Sequence, residues 1–243
     1  MGDNMTHITK DNLENYAFVN LDTLTYPVKA VCVCFHGFTD DTVYEKSPRQ
    51  ASELGSKGIA WVYPYFSVWA WYSDNSRKFN EQVLDAVYGK LNLSDDIPLI
   101  ISGGSMGGMT AFMYCIDGKR KPKACAMNCP VTNVRAHFEN NFYIRRAIMD
   151  AHIDKETDML TFTESISPVY RIADFPDIPV FSLFGGRDSC ITEKEYIPFI
   201  EKMKVKNMET VISEEMEHCG TDSNEKGYRA MTDFIINAAL KRR

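Results

Sequence analysis

Short apolar runs alternate along the chain with longer stretches in which apolar residues recur every three or four positions. The most apolar runs are typical of strands buried on both faces of a parallel sheet. They lie at 28–35, 59–64, 99–102, 124–129 and 178–184, with a shorter candidate edge strand at 16–20 and a last strand at 209–213. The stretches with helical spacing lie at about 43–56, 75–92, 109–116, 192–204 and 224–240. This alternation predicts an α/β fold in which helices cover both faces of a mostly parallel central sheet.

The segment 131–172 does not follow this alternation, because its pattern is helical but irregular. We expect it to form a small helical cap inserted in one domain that spans residues 1–243. A chain of 243 residues is long enough for a single domain with such an insertion.

One predicted turn carries candidate chemistry. The run that ends at Ser102 passes into a Gly-x-Ser-x-Gly sequence with Ser105 at its centre, and a helical pattern follows. Strand, sharp turn and helix in this order present a serine at the top of a sheet. A side chain two residues before or after Ser105 would collide with the neighbouring strand or helix, which accounts for Gly103 and Gly107. We interpret Ser105 as a nucleophile, with a plain Gly/Ser loop as the alternative.

Four polar residues each follow a predicted strand: His36, Ser105, Asp188 and His218. In parallel sheets these positions meet at one edge, where ligands bind. Of the five histidines, only His218 lies between the last strand and the final helix, so we interpret it as the general base and Asp188 as its orienting carboxylate. The alternatives are a surface histidine and a turn aspartate. The acidic residues near His218 are weaker candidates for the carboxylate: Glu214, Glu215 and Glu217.

An attacking serine also requires two N–H groups that face the oxygen on which negative charge develops. The backbone N–H of Met106, directly after Ser105, is one candidate. The other is the N–H of Phe38, in the loop after the strand at 28–35. We expect His36 to support this loop by hydrogen bonding rather than to act as a base.

These motifs resemble the α/β-hydrolase superfamily. The resemblance rests on His36-Gly37-Phe38-Thr39, Gly103-Gly104-Ser105-Met106-Gly107, Phe184-Gly185-Gly186-Arg187-Asp188 with Ile191, and Glu217-His218. Within the superfamily, the chain is similar to small cinnamoyl/feruloyl-type esterases and, through Ser167-Pro168 and the Asp188-to-Ile191 spacing, to prolyl-oligopeptidase-like catalytic domains. Phe184 departs from the pattern, since such proteins often carry His there. The resemblance implies an α/β-hydrolase fold with a Ser105–His218–Asp188 triad and no cofactor or metal.

Hydrolysis of a carboxylic ester through an acyl-enzyme intermediate is the function we expect. A peptidase or amidase with the same triad is the first alternative, because esters and amides share the tetrahedral intermediate. The second is a non-catalytic binding protein on a hydrolase fold, which the complete set of triad residues disfavours.

The aromatic stretch after the strand at 59–64 is the candidate substrate-binding region. Trp69, Trp71 and Tyr72 would line an acyl or aromatic pocket, or would instead pack as core beneath the insertion. The Arg145-Arg146 pair could meet an anionic substrate, although exposed helix charges are the simpler interpretation.

Composition narrows the partners and the compartment. A formal net charge of −6 argues against a nucleic-acid partner, since phosphate binding needs a basic surface. The 7 cysteines include no Cys-x-x-Cys pair, so neither zinc nor thioredoxin-like chemistry is indicated. Reduced thiols, with neither a signal peptide nor a transmembrane run in the sequence, predict a cytoplasmic protein without a membrane partner. The expected partner is a small-molecule ester or a short peptide.

Overall fold

The computed structural model describes residues 7–154 and 157–241. Its strands are β1 (Ala17–Val19), β2 (Ala30–Phe35), β3 (Ile59–Pro64), β4 (Leu99–Gly104), β5 (Ala124–Asn128), β6 (Val180–Gly185) and β7 (Glu209–Ser213). Its α-helices are α1 (Arg49–Gly55), α2 (Asp74–Lys90), α3 (Met106–Asp117), α4 (Val134–Asn140), α5 (Phe142–Ala151), α6 (Met159–Ser165), α7 (Glu193–Met203) and α8 (Glu225–Leu240). Most boundaries fall within about two residues of those that the pattern predicts.

All these strands form one sheet in the order β1-β3-β2-β4-β5-β6-β7. Strand β1 pairs antiparallel with β3, and every other neighbouring pair is parallel. The predicted mostly parallel sheet of the α/β-hydrolase fold is thereby confirmed. Because β2, β4, β5, β6 and β7 run in the same direction, the loops that follow them reach the same edge.

The central strands are buried on both faces. In β2, Val31, Val33 and Phe35 belong to the core on one face, which helices α2, α3 and α7 cover. Ala30 and Cys32 belong to the core on the other face, which α1 and α8 cover. Alternate residues thus supply two separate cores, and this explains why the run is apolar throughout.

Helix α1 begins at Arg49, later than the position near 43 that the sequence pattern predicts. Pro48 precedes it with φ −65° and ψ 170°. Proline disfavours the helical conformation in the residue before it, so Ser47 cannot continue a helix into Arg49. The chain from Thr42 to Ser47 is therefore a loop, and this loop brings Tyr44 to the sheet edge that carries the candidate site.

The segment predicted to be a cap contains α4, α5 and α6. Helix α5 reaches the loop after β2, where the ring centroids of Tyr143 and Phe38 lie 5.6 Å apart. Its role as a cap stays a prediction. Residues 155–156 of this segment, and 1–6 and 242–243 of the predicted domain, lie outside the described residues.

Within residues 7–154 and 157–241, no helix combines the length and the apolar character that a membrane span requires.

Candidate active site

The turn between β4 and α3 holds Ser105 in a backbone conformation that residues other than glycine seldom adopt, with φ 54° and ψ −121°. The N–H of Ser105 donates to the carbonyl oxygen of Asn128 at 2.9 Å. Its own carbonyl oxygen accepts from the N–H groups of Val131 at 3.0 Å and Met109 at 3.1 Å. These hydrogen bonds anchor the strained turn to the segment around β5 and to the first turn of α3, as backbone strain at functional sites requires.

Two glycines flank Ser105 where the backbone is closely approached. A Cβ atom on Gly103 would lie 2.3 Å from the carbonyl oxygen of Gly107. A Cβ atom on Gly107 would lie 2.0 Å from the carbonyl oxygen of Phe35. Both distances are far below van der Waals contact, so the predicted steric reason for the Gly-x-Ser-x-Gly spacing is confirmed.

Asp188 and His218 lie in the loops after the neighbouring strands β6 and β7 and contact each other directly. The Nδ1 atom of His218 is 2.7 Å from Oδ2 of Asp188. The other carboxylate oxygen, Oδ1, accepts hydrogen bonds from the backbone N–H groups of Cys190 at 2.7 Å and Ile191 at 2.8 Å. Burial opposes ionisation of Asp188, but the hydrogen bonds from His218, Ile191 and Cys190 outweigh it and hold the pKa of the carboxyl below its ordinary value.

The three glutamates near His218 do not take the position of Asp188. Glu214, Glu215 and Glu217 are exposed, and Glu215 pairs with Arg187. The three carboxylates are therefore exposed to solvent, which is one of the two interpretations that the sequence allows.

A cavity of about 460 Å³ opens at this edge of the sheet. Phe38, Ser105 and His218 line it. Aromatic side chains form much of the remaining wall, among them Tyr44, Trp61 and Tyr63. The centroid distances are 5.5 Å for the stacked Trp61–Tyr63 pair and 5.0 Å for the edge-on Tyr44–Tyr63 pair. The space beside the serine is therefore walled largely by rings.

Asp40 is the carboxylate in this wall, and both of its oxygens have protein partners. Oδ2 accepts from the hydroxyl of Tyr63 at 2.8 Å. Oδ1 accepts from the N–H of Thr42 at 3.1 Å and from the hydroxyl of the same residue at 2.6 Å. Although burial alone would raise the pKa of Asp40, the hydrogen bonds from Thr42 and Tyr63 lower it below the ordinary value. The carboxylate is thus ionised and already hydrogen-bonded.

Ser105 and His218 both line the cavity. Among the hydrogen bonds of the described residues, none joins these two side chains. The second ring nitrogen of His218, Nε2, is 3.9 Å from Sγ of Cys219. Nucleophile and base are commonly farther apart before a substrate binds than during reaction. The arrangement therefore supplies a histidine with its Nδ1 side fixed by Asp188 and its Nε2 side directed away from that carboxylate.

The residues that carry the two predicted oxyanion donors, Phe38 and Met106, both lie close to Ser105. Met106 is the first residue of α3, where a backbone N–H has no partner inside the helix. A Cβ atom on Gly37 would lie 3.6 Å from Cβ of Ser105, so the loop that carries Phe38 runs beside Ser105. Among the hydrogen bonds between described residues, none uses the N–H of Phe38 or Met106 as donor. The described residues therefore leave both N–H groups unused, and their role as an oxyanion hole stays a prediction.

His36 holds the loop after β2 in place, in agreement with the prediction. Its ring is buried and stacks on Phe66 with 3.9 Å between the centroids. Nδ1 lies 2.9 Å from the carbonyl oxygen of Gly37, and Nε2 lies 3.0 Å from that of Phe66. Both ring nitrogens therefore contact backbone carbonyl oxygens of the loops, and this supports the predicted role of His36 as a support for the loop rather than a base.

The predicted substrate-binding aromatics do not line the cavity that contains Ser105. Trp71 and Tyr72 are buried in the core, with exposed fractions of 1% and 5%, which corresponds to the alternative interpretation. Trp69 is half-buried, and its ring meets that of Tyr143 in α5 at 6.1 Å. Trp71 also meets this region from the core, because its ring centroid lies 5.2 Å from that of Phe38 and its carbonyl oxygen lies 3.0 Å from Nε2 of His152 in the predicted cap.

Arg145 in the predicted cap closes the end of α4. Its guanidinium donates to the carbonyl oxygens of Phe138 at 2.8 Å and Glu139 at 2.6 Å. These bonds tie the side chain of Arg145 to carbonyl groups that lack helical partners. Of the Arg145-Arg146 pair, Arg146 is the exposed helix charge that the simpler interpretation expects.

Sequence reasoning missed the aromatic wall and a pair of thiols. Trp61 and Tyr63 alternate along β3, which indicates a shared face, but the pattern does not show that this face borders the cavity. Cys129 and Cys219 are 90 positions apart, yet the N–H of Cys219 contacts Sγ of Cys129 at 3.4 Å. No spacing motif links them.

Comparison with known proteins identifies the family. A model of the prolyl oligopeptidase family matches residues 81–242, two thirds of the chain. The chain belongs to the prolyl oligopeptidase family. This match agrees with the α/β-hydrolase fold that the motifs around Ser105 predict. The search of curated proteins found no match to the chain.

Solved structures of similar fold include both long and short chains. The acylaminoacyl peptidase of Pyrococcus horikoshii aligns with a TM-score of 0.68 at 13% identity over 90% of this chain and 38% of its own. The chain therefore spans well under half the length of that relative. Est1E from Butyrivibrio proteoclasticus aligns with a TM-score of 0.68 at 14% identity, over 93% of this chain and 94% of its own. FphF, a fluorophosphonate-binding serine hydrolase of Staphylococcus aureus, aligns with a TM-score of 0.65 at 20% identity, over 89% and 87% respectively. At these identities the likeness shows the fold.

Proposed function

We propose that the protein hydrolyses carboxylic esters through an acyl-enzyme intermediate. Ser105 Oγ attacks the ester carbonyl carbon while His218 Nε2 accepts the hydroxyl proton. Asp188 holds the Nδ1–H of His218 and stabilises the imidazolium that forms. The N–H groups of Phe38 and Met106 receive the oxyanion.

The remaining steps use the same groups in reverse. His218 Nε2 returns its proton to the departing alcohol, and the acyl group stays on Ser105. A water molecule then attacks the acyl carbon, with His218 accepting its proton. The carboxylic acid leaves, and Ser105 regains its hydrogen from His218.

The aromatic wall of the cavity is the observation that supports an ester substrate. Tyr44, Trp61 and Tyr63 surround space of about 460 Å³ next to Ser105, which suits a flat or apolar acyl group. A peptide substrate with a free amino terminus would need an acidic group with unused acceptor capacity. Asp40 is a poor candidate for that role, because Tyr63 and Thr42 already donate to its two oxygens.

Peptide or amide hydrolysis is the second candidate function, and the family match favours it. The same triad would serve, since the tetrahedral intermediate of an amide has the same oxyanion. At 13% identity the acylaminoacyl peptidase shares the fold with this chain, so that protein's activity is not transferred to it. Trp69, at the border of the predicted cap, remains a candidate substrate contact for either reaction.

A matched substrate panel tests the proposal. Purified protein is assayed against nitrophenyl acetate, butyrate and benzoate, and against aminoacyl-nitroanilides with free and blocked amino termini. We expect ester turnover to exceed anilide turnover, with the Ser105→Ala protein as the background control. Anilide turnover well above ester turnover would overturn the ester assignment in favour of a peptidase.

A cytoplasmic location remains part of this proposal, and fractionation of the source cells would check it.

A further inference from the structure

Two cysteines lie beside the proposed general base. Cys129 follows β5, and Cys219 directly follows His218. Their Sγ atoms and a ring nitrogen of His218 all lie within 4.8 Å of one another. All described cysteines carry free thiols, and neither Cys129 nor Cys219 has a part in the proposed hydrolysis.

We propose that Cys129, Cys219 and the Nε2 atom of His218 form a binding site for a zinc ion, and that zinc bound there inhibits the enzyme. The binding is independent of the proposed function, whereas the inhibition rests on the proposed role of His218 as the base.

The distances suit zinc. Tetrahedral zinc with two thiolates and one imidazole places the ligand atoms about 3.5 to 3.8 Å apart, given Zn–S bonds of about 2.3 Å and Zn–N bonds of about 2.0 Å. The observed separation of His218 Nε2 and Cys219 Sγ is 3.9 Å. Two sulfur ligands and one nitrogen also favour zinc over magnesium or calcium, which prefer oxygen. Small side-chain movements are therefore sufficient to close the site.

The surroundings of the three ligands resemble those of known zinc sites. Metal-binding histidines usually donate their other N–H to a carboxylate, which fixes the tautomer. His218 does this through Nδ1 to Asp188 at 2.7 Å. The same hydrogen bond that prepares Nε2 to accept a proton thus prepares it to bind a metal.

Space and polar groups around Cys219 also fit a bound ion. A Cβ atom on Gly104 would lie 3.3 Å from the Sγ of Cys219, so the absence of a side chain at Gly104 leaves space for this thiol. The side-chain oxygen Oδ1 of Asn128 is buried on the wall of the same cavity without a hydrogen-bond partner among the described residues. A buried polar atom of this kind calls for a ligand or an ordered water. Together with the open cavity, it offers surroundings for a fourth zinc ligand.

Binding exchanges protons for the metal in a balanced step. Zn²⁺ replaces the proton of each thiol, and both protons pass to the solvent. His218 contributes the lone pair of Nε2 and loses no proton. The lone pair is then no longer available to accept the proton of Ser105, so hydrolysis stops until a chelator removes the ion.

A second cluster near the base is a weaker candidate. Asp188, Cys190 and His218 also approach one another closely. However, Oδ2 of Asp188 is engaged by His218, Oδ1 accepts two backbone N–H groups, and Cys190 is exposed. Replacement of Cys190 therefore serves as the matched control for loss of a thiol near the base.

The test reads metal binding without using activity. The Ser105→Ala protein, reduced and freed of metal, is titrated with Co²⁺, whose bonds to thiolate give near-ultraviolet charge-transfer absorption, and Zn²⁺ is then added in competition. We expect this absorption, its displacement by Zn²⁺, and a loss of Zn²⁺ affinity of at least about tenfold on adding Cys219→Ala or Cys129→Ser. Cys190→Ser should leave the affinity unchanged. Melting temperatures identify variants that fail to fold. If Cys129→Ser does not fold, Cys219→Ala alone tests the site.

The inhibition is measured separately on protein with Ser105 intact. Zn²⁺ should suppress ester hydrolysis, EDTA should restore it, and Cys219→Ala should be much less sensitive. Absence of thiolate absorption with Co²⁺, or its retention in both the Cys129 and Cys219 variants, would overturn the site. Tight zinc binding without loss of ester hydrolysis would overturn the inhibitory role. If the protein cleaves no ester at all, the proposed function fails while the cobalt titration still decides the site.

Discussion

His218 Nδ1 lies 2.7 Å from Oδ2 of Asp188, although 30 positions separate the two residues in the sequence. The contact forms because β6 and β7 are parallel neighbours, so the loops that follow them meet at one edge of the sheet. It fixes the ring with Nδ1–H towards the carboxylate, which leaves Nε2 free to accept a proton. The hydrolysis that we propose depends on this orientation.

Replacing Asp188 with Asn should remove that orientation with little change in shape. An amide can donate to Nδ1 and so favours the tautomer that places the proton on Nε2, where it blocks the base. We expect kcat for ester hydrolysis to fall by about 10⁴-fold. Steady-state kinetics with a nitrophenyl ester measure this loss, and Glu217→Gln, which neutralises an exposed neighbour, is the control. A comparable loss in the control would contradict the assignment of Asp188.

The same carboxylate makes stability depend on pH. Its pKa in the folded protein is lowered, whereas in the unfolded chain it should be near the ordinary value of about 3.9. The unfolded state therefore binds the proton more readily, and the stabilisation from ionised Asp188 is complete above that value and disappears as the pH falls through the folded pKa. The free energies of unfolding of wild type and Asp188→Asn, from urea denaturation, should differ most at neutral pH and converge below about pH 4. A difference that grows with acidification would show that the sign is wrong.

The backbone at the nucleophile turn should not tolerate a methyl group. In Gly107→Ala the new Cβ would meet the carbonyl oxygen of Phe35 at 2.0 Å, and backbone atoms cannot move aside cheaply. We expect a loss of about 3 kcal/mol or more in the free energy of unfolding. Gly89→Ala is the matched control, because a Cβ there meets nothing within 4 Å in α2, and it should leave stability unchanged or raise it by about 0.4–1 kcal/mol. Equal melting temperatures for the two variants would contradict the steric account.

The wall of the cavity should set the acyl preference. Tyr44 is half-buried at the cavity wall, so Tyr44→Ala should widen the space next to Tyr63. We expect kcat/KM for a bulky aromatic ester to rise relative to that for an acetate by about tenfold, a typical effect of a changed apolar contact. Trp69→Ala is the comparison, because Trp69 does not line this cavity. A larger change in the Trp69 variant would mean that substrates bind under the predicted cap instead.

The sequence was informative about the sheet and about the edge where the candidate residues meet. Near-continuous apolar runs reveal strands buried on both faces, and strand ends in a parallel sheet converge, so the sequence alone predicts that Asp188 and His218 pair. Helix α1 begins later than its pattern predicts because Pro48 disfavours the helical conformation in Ser47, the residue before it.

The sequence pattern does not predict which residues line the cavity. Trp71 and Tyr72 look like pocket residues in the sequence because they follow a strand end, yet their left-handed backbone angles, φ 40° and 58°, belong to a tight turn whose side chains are buried in the core. Tyr63 reaches the cavity because of its face on β3, and Cys129 meets Cys219 through tertiary packing alone. Such contacts depend on which strands are neighbours, and periodicity along one strand does not contain that information.

Covalent labelling of Ser105 tests the central claim most directly. Wild-type protein, Ser105→Ala and Ser223→Ala, the last altering an exposed serine in the loop after β7, are each treated with a fluorophosphonate probe and digested for mass spectrometry. We predict that wild type and Ser223→Ala carry the probe on Ser105 and that Ser105→Ala carries none. Equal labelling of wild type and Ser105→Ala would contradict the account, because the reactive nucleophile would then lie elsewhere in the chain.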